Sequence, residues 1–459
     1  MTRGDEVRLL CAVFITLLAA CGGETGGVPA PLSSEDRPLE AGFEEVYRIG
    51  GIEAESWDAF TEIAELDFDA RGHLYIRDAA ASSTRIVVLD GLGGLAAEFG
   101  RMGDGPGELR QVGHMLARPE GGVVIVDDGH RAYLLFGPDG SFERAIRFAN
   151  TGASQTASAE RVRAAREGGA LFLTRGAAAS FSGGEATVAA GDRTIYRVSL
   201  DEGEEAATAP FAEGWEARPE RQATFEAADP SDMFGALGDA FAYFEPGLVF
   251  DVLPGGAVAY SDSSAYAVKI QTAVGAPVRV VGRPLHPEPV TERLRERVRA
   301  RALEALESSI EEQFASPTGD VPEALREQMG AMLEGMMAGL RDMVENASFM
   351  PEVPLVRDLR TTWAGSIWVQ RWGSDPLAQI QLAGGEPAGG EPEGEGDAAE
   401  GWIDVFAPEG GYVGTFSLEE TLMPGAFGPG GLVAFVETDE FDVPTVIVKR
   451  LPEAVRLTG

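Results

Sequence analysis

The segments "RGHLYIRD" (Arg71–Asp78) and "GGVVIVDD" (Gly121–Asp128) each set a glycine ahead of alternating apolar residues and end on a charge. Strict period two over about five residues marks a β-strand whose side chains alternate between two faces. The pattern returns as "GALFLTR" ending at Arg175, "GAVAYSD" at Asp262, "GSIWVQR" at Arg371 and "GLVAFVE" at Glu437. Anchored on Gly72, Gly122, Gly169, Gly256, Gly365 and Gly431, every copy is aliphatic two positions on: Leu74, Val124, Leu171, Val258, Ile367 and Val433. Six positions on, every copy is charged: Asp78, Asp128, Arg175, Asp262, Arg371 and Glu437.

A second strand and a turn follow most copies, as in "AYLLFGPDG", "TIYRVSLDEG" and "WIDVFAPEGG", and a third strand follows each turn. With a strand ahead of each glycine, the unit has four strands. The first three anchors lie about 48 residues apart, a propeller-blade spacing. The six motifs in phase, with the "FGRMGDGPGEL" segment, resemble the NHL-like six-bladed β-propellers over about residues 43–451. The resemblance implies an all-β fold, a six-bladed β-propeller with a helical-hairpin insertion. The last unit lacks an outer strand after "VPTVIVKRLPE", and "FEEVYRIGG" (Phe43–Gly51) has no other partner. The N-terminal strand is therefore expected to close blade 6 and leave no open edge.

"FGRMGDGPGELR" (Phe99–Arg110) is not a phosphate-cradling loop. Gly103, Gly105 and Gly107 read G-x-G-x-G, no Lys follows, and the next segment has strand character. Its glycines and Pro106 are expected to bend the chain between blades 1 and 2.

The N-terminus reads "MTRGDEVRLLCAVFITLLAACGG". Its apolar run is too short to span a bilayer and follows basic residues, as a secretion signal does. Leu18-Ala19-Ala20-Cys21 resembles the bacterial lipobox, which implies a signal peptide over 1–20 and lipidation of Cys21. Gly22 at the next position implies the outer membrane in two-membrane bacteria. Residues 21–42 are expected to be a flexible tether and residues 43–459 the propeller. The chain has 459 residues and two cysteines. A mature form beginning at Cys21 has no disulfide, so packing alone must hold the fold. The net charge of −37 argues against nucleic-acid partners.

Unit spacing lengthens after Gly169. The excess falls at 176–191, 212–240, 285–350 and 373–400, loops that all emerge on one face of a four-stranded propeller. Residues 285–350 read as a helical hairpin. Leu294, Val298, Ala302 and Leu306 recur at helical spacing, and a capping-box pattern at Asp320 precedes a stripe that includes Met329, Met332 and Met336. Residues 384–400, "GGEPAGGEPEGEGDAAE", have nothing apolar to bury, and the acidic loop 376–400 is expected to be disordered.

The four histidines, His73, His114, His130 and His286, share no ligand spacing, and no nucleophile elbow occurs. His114 falls near an inner strand. The ring of charged residues at Asp78, Asp128, Arg175, Asp262, Arg371 and Glu437 is the polar set that the repeat imposes. It either satisfies backbone N–H groups or contacts a ligand or Ca²⁺. Gluconolactonase-type propellers hold a central Ca²⁺ with carboxylates, which implies one alternative: a Ca- or Zn-dependent hydrolase or lyase. The expected function is a non-catalytic binding module, lipid-anchored in the cell envelope and monomeric, for a protein, peptide or glycan, with no resident cofactor.

Overall fold

The computed structural model describes residues 33–80, 83–149, 159–182, 185–201, 203–216, 222–226, 241–314, 335, 337–373, 377 and 401–456. The signal segment, Cys21, Met329, Met332, Met336 and nearly all of the acidic 376–400 segment lie outside the described residues.

Six four-stranded antiparallel sheets form the blades. Blade 1 runs Ile63–Phe68, Leu74–Ala80, Ser83–Leu89 and Leu95–Phe99; blade 2 runs Val112–Ala117, Val123–Asp127, Ala132–Phe136 and Phe142–Arg147. Blade 3 is Ala159–Ala164, Ala170–Arg175, Thr194–Ser199 and Ala207–Glu213; blade 4 is Val249–Val252, Val258–Ser261, Ala267–Gln271 and Arg279–Gly282. Blade 5 is Val356–Thr361, Ile367–Arg371, Trp402–Phe406 and Tyr412–Ser417. Blade 6 takes Ala426–Phe427, Leu432–Thr438 and Pro444–Arg450, and Glu44–Gly50 completes it as the outer strand.

Both faces of each blade are apolar because each packs on a neighbour. Leu74 and Ile76 bury against Val446 and Val448 of blade 6, while Tyr75 buries against Val123 and Ile125 of blade 2. Similar clusters join blades 2 and 3, 3 and 4, 4 and 5, and 5 and 6. The ring of interfaces is closed, and among the described residues, which include no cysteine, packing holds it together.

In blade 2 the register differs from the sequence reading. Val123 and Ile125 face blade 1, and Val124 and Val126 face blade 3. Gly121 is thus the counterpart of Gly72, and Asp127, opposite Val112, is the counterpart of Asp78, opposite Ile63. Four consecutive apolar residues that are all buried carry no alternation, so the doubled glycine left the register open by one.

The Phe99–Arg110 segment is a corner between blades. Leu109 N donates to Arg101 O and Gly103 N to Leu109 O. Gly107 has φ +78°, and a Cβ there would lie 2.8 Å from Phe142 Cβ, so glycine is required at that position.

The insertions meet one another. Hairpin Ala178–Ser182/Glu185–Ala189 leaves blade 3 and pairs with Gln222–Glu226 from the crossing to blade 4. Ala242–Tyr243 pairs with Ser348–Phe349. The helix Glu292–Phe314 begins where Val290 N donates to Pro351 O. It buries Val298 with Phe244, Val353 and Leu294, and Trp372 and Leu377 pack on the same cluster. A second helical stretch covers residues 337–345. Arg295 and Arg299 lie over the Phe349 ring and within ion-pair reach of Glu292. No helix among the described residues is long and apolar enough to cross a membrane.

Residues 33–42 depart from the expected tether. Leu39 N donates to Thr415 O, and Thr415 N to Arg37 O, along the outer strand of blade 5. Asp36 accepts from Arg283 at 2.7 Å and from Arg371 at 2.9 Å. Burial works against ionisation of Asp36, but the two guanidinium groups outweigh it and lower its pKa. Two fixed cations turn this part of the tether into a strap.

Candidate functional site

Most of the charged ring of the repeat engages the scaffold. Asp78 Oδ1 accepts from Thr61 N and Glu62 N, both at 2.9 Å, and Oδ2 pairs with Arg85. Asp262 accepts from Trp215 N and Lys269 Nζ, both at 2.7 Å. In blade 2 this work falls to Asp127, which accepts from Arg110 N, Gln111 N and His130. Each acid clips the backbone that enters its blade from the preceding one. Arg371 joins Asp36 and Asp404, Glu437 reaches Lys449 at 3.6 Å, and Arg175 stacks on Tyr196. Asp128 and Arg175 line a shared cavity of about 90 Å³. No hydrogen bond or ion pair joins any two of the six predicted residues among those described.

A denaturation experiment separates Asp127 from its neighbour. Asp127→Ala strands three backbone N–H groups, those of Arg110, Gln111 and His130, and the His130 ring, and is expected to lose about 1–3 kcal/mol in urea unfolding. Asp128→Ala is expected to stay within about 0.5 kcal/mol of the parent. The reverse order would restore the register read from the sequence.

The larger polar constellation lies on the propeller axis, where the inner strands line a cavity of about 440 Å³. Two levels of charge ring the axis. Counterpart positions on the inner strands carry Glu65, His114, Arg161 and Asp358 at one level, and Asp67, Arg163, Asp251 and Arg360 at the next. The signal was present in the sequence as charge at i and i+2 in "AELDF", "ERVRA" and "VRDLRT". Period two on an inner strand places both side chains of a pair on one face. The sequence reading followed the second strand of each blade and passed over these pairs.

The carboxylates of blade 1 are engaged by hydrogen bonds. Glu65 accepts from His114 Nδ1 at 2.8 Å, Arg77 Nε at 2.9 Å and Met115 N at 2.6 Å. Asp67 accepts from Ala117 N and Phe68 N, both at 2.9 Å. Burial pushes Asp67 up to about 6, with Arg166 and Arg163 opposing the shift. His114, expected near an inner strand, lies on one and also reaches Ala159 O through Nε2 at 3.1 Å. These bonds stitch successive inner strands together.

The wall from blades 3 to 5 is basic. Asp358 lies 2.8 Å from Arg161 and 3.3 Å from Arg360. Burial disfavours its charge, but Arg161, Arg360 and Arg163 outweigh that and hold the carboxyl well below its ordinary range. Asp251 accepts from Thr361 N at 2.6 Å and Val252 N at 2.8 Å. Arg163 lies 3.2 Å from Asp251. Burial, then the nearby Arg360, lowers Arg163 to about 9. Arg166 stacks on Trp363, 4.9 Å from the ring centre.

A Ca²⁺ or Zn²⁺ site would need three or more convergent donors. Among the described residues no such group of His, Cys, Asp and Glu occurs. The channel carboxylates Glu65, Asp67, Asp251 and Asp358 already accept hydrogen bonds or pair with arginine, so they do not fit a metal.

No family model matches this chain, and no curated protein matches its sequence. Among solved structures, it is similar to a member of the DUF4221 family from Bacteroides vulgatus at 9% identity and a TM-score of 0.46, over 91% of this chain and 99% of that one. It is also similar to a virginiamycin B lyase from Staphylococcus aureus at 9% identity and a TM-score of 0.38, over 88% of this chain and 99% of that one. A third similar structure is the Cps50 (Swd1) β-propeller domain of Myceliophteria thermophila, at 10% identity and a TM-score of 0.35, over 89% of this chain and 100% of that one. The six-bladed architecture is read from the strand pairing of the chain itself.

Proposed function

We propose that this chain is a non-catalytic binding module of the cell envelope. It is held at the outer membrane through lipidated Cys21 and receives a protein, peptide or glycan on the face that carries the insertions. The observation that supports the reading is the meeting of the four insertions. Segments from the blade 3 hairpin, both long crossings and the blade 5 loop pair and pack with one another. The opposite turns, such as Asp69–Gly72 and Pro254–Gly256, are tight. A rigid ring whose described insertions meet on one side presents a recognition surface there, and the axial cavity, whose lining includes Arg166 and Trp363 of the tight turns, offers a polar recess as well.

Two measurements test it. Cys21→Ser is expected to move the protein from the membrane fraction to the soluble one, since stable anchoring takes more than one acyl chain. Retention in the membrane fraction would overturn the anchoring. For recognition, a photo-crosslinker at Glu304 on the insertion helix is compared in intact cells with one at Leu92 in an opposite turn, 86% exposed. A discrete adduct from position 304 alone is expected. Adducts from position 92 alone, or from neither, would overturn the assignment of the face.

A further inference from the structure

We propose that the axial cavity is an oxyanion site, which takes a multiply charged carboxylate or phosphate group against Arg163, Arg166 and Arg360. The proposal rests on the reading of the cavity as a receiving recess and adds the chemistry of what enters it.

The first argument is donor supply. A guanidinium carries five N–H donors in a planar fork, so Arg161, Arg163, Arg166 and Arg360 bring about twenty. Among the described residues four hydrogen bonds engage them. Arg161 Nη1 and Arg360 Nε donate to Asp358, Arg163 Nη1 donates to Val162 O at 2.8 Å, and Arg166 Nη2 donates to Thr361 O at 3.3 Å. Arg166 Nε is buried and without a hydrogen bond, and the buried Arg163 Nε makes no hydrogen bond but faces Asp251 at 3.2 Å. Enclosed, unsatisfied donors are costly, and a planar fork matches the two oxygens of a carboxylate or phosphate.

The second argument is that the protein's own acids are already engaged. Asp251 is held by Thr361 and Val252 and shared with Arg163 at 3.2 Å, and Asp358 lies between Arg161 and Arg360. Glu65 and Asp67 serve the backbone of blade 2, and Glu65 also serves Arg77 and His114. Glu160 lines the cavity but is exposed.

The third argument is repulsion. Beyond the effect of burial, Arg360 and Arg161 act to remove the proton of Arg163, and Asp251 and Asp358 offset them only in part. Like charges packed this closely are relieved by an anion between them. The low-dielectric walls make that interaction stronger than at the surface. The site selects anions locally within a chain of net charge −37. Apolar surface from Trp363, Phe427 and Leu66 accommodates the carbon skeleton of an organic anion.

Titration calorimetry on the full-length protein in detergent at low salt uses citrate, inorganic phosphate and glucose as probes. Saturable binding of citrate, phosphate or both is expected, weakened at least tenfold by Arg163→Gln and by Arg360→Gln and reduced by added KCl. Citrate alone would identify a polycarboxylate source, and phosphate alone a phosphoryl source. Tryptophan fluorescence provides a test on the unaltered fold. The responding anion should shift the emission, and Trp363→Phe should remove the response. Absence of saturable anion binding, or binding unchanged in both arginine variants, would overturn the proposal. Glucose binding without anion binding would overturn it while leaving the binding-module reading standing.

Discussion

Deletion of residues 43–49 is expected to cost the propeller its cooperative fold. Strand Glu44–Gly50 pairs with Pro444–Arg450 from Glu44 opposite Arg450 to Gly50 opposite Thr445. It contributes Ile49, Val46 and Tyr47 to the cluster that joins blade 6 to blade 1. Phe43 packs edge-on against Phe435 at 5.5 Å. Without this strand, "PTVIVKR" becomes an open edge whose central Val446, Ile447 and Val448 are fully buried in the intact protein. An exposed apolar edge templates aggregation, and the lost burial amounts to several kcal/mol at about 25 cal/mol per Å². Light scattering and thermal unfolding should show a lower transition accompanied by aggregation. Deletion of residues 22–32 is the control, because a deletion through residue 36 would also remove Asp36. Equal transitions for the two deletions would show that blade 6 is closed in another way.

Asp404→Ala is expected to be the most damaging single substitution, at about 3–5 kcal/mol, the cost of removing one partner from a buried ion pair. Asp404 is 0% exposed. Its Oδ1 accepts from Arg283 at 3.0 Å and Thr415 at 2.5 Å. Its Oδ2 accepts from Tyr266 at 2.6 Å and lies 3.1 Å from Arg371. Burial, then Asp404 itself, raises the Tyr266 hydroxyl well above its ordinary range, so the phenol stays protonated as the donor. The substitution leaves two guanidinium groups facing one remaining acid, Asp36. Because Arg283 also binds Ser33 O and Ser34 O, the strap should loosen as well. Urea unfolding measures the first effect, and limited proteolysis within residues 33–42 the second. Asp404→Asn keeps an acceptor and should lose less. A loss below about 1 kcal/mol for Asp404→Ala would mean that water replaces the carboxylate and that the network carries little stability.

How far each feature could be read from the chain depended on whether its pattern was local. The six blades were legible because a strand between two packed blades writes its period into adjacent residues, and the glycine before it marks a turn. Closure by Phe43–Gly51 followed by elimination, since one unit was a strand short. The apolar stripe of the insertion helix at Leu294, Val298 and Ala302 was legible for the same reason, as 3.6-residue periodicity.

Tertiary structure decided the rest. The register of blade 2 depended on which neighbour Val123 and Val124 face, and a strand buried on both sides does not record that. The strap at residues 33–42 has the composition of a linker. Asp36 fixes it by meeting Arg283 and Arg371, 247 and 335 residues away. The axial arginines converge in the same manner, with Arg161 meeting Asp358 across 197 residues. A single sequence records the charge of each inner strand but not which strands the ring brings face to face. Ring closure places these strands around one cavity, and there their charges determine one another's ionisation.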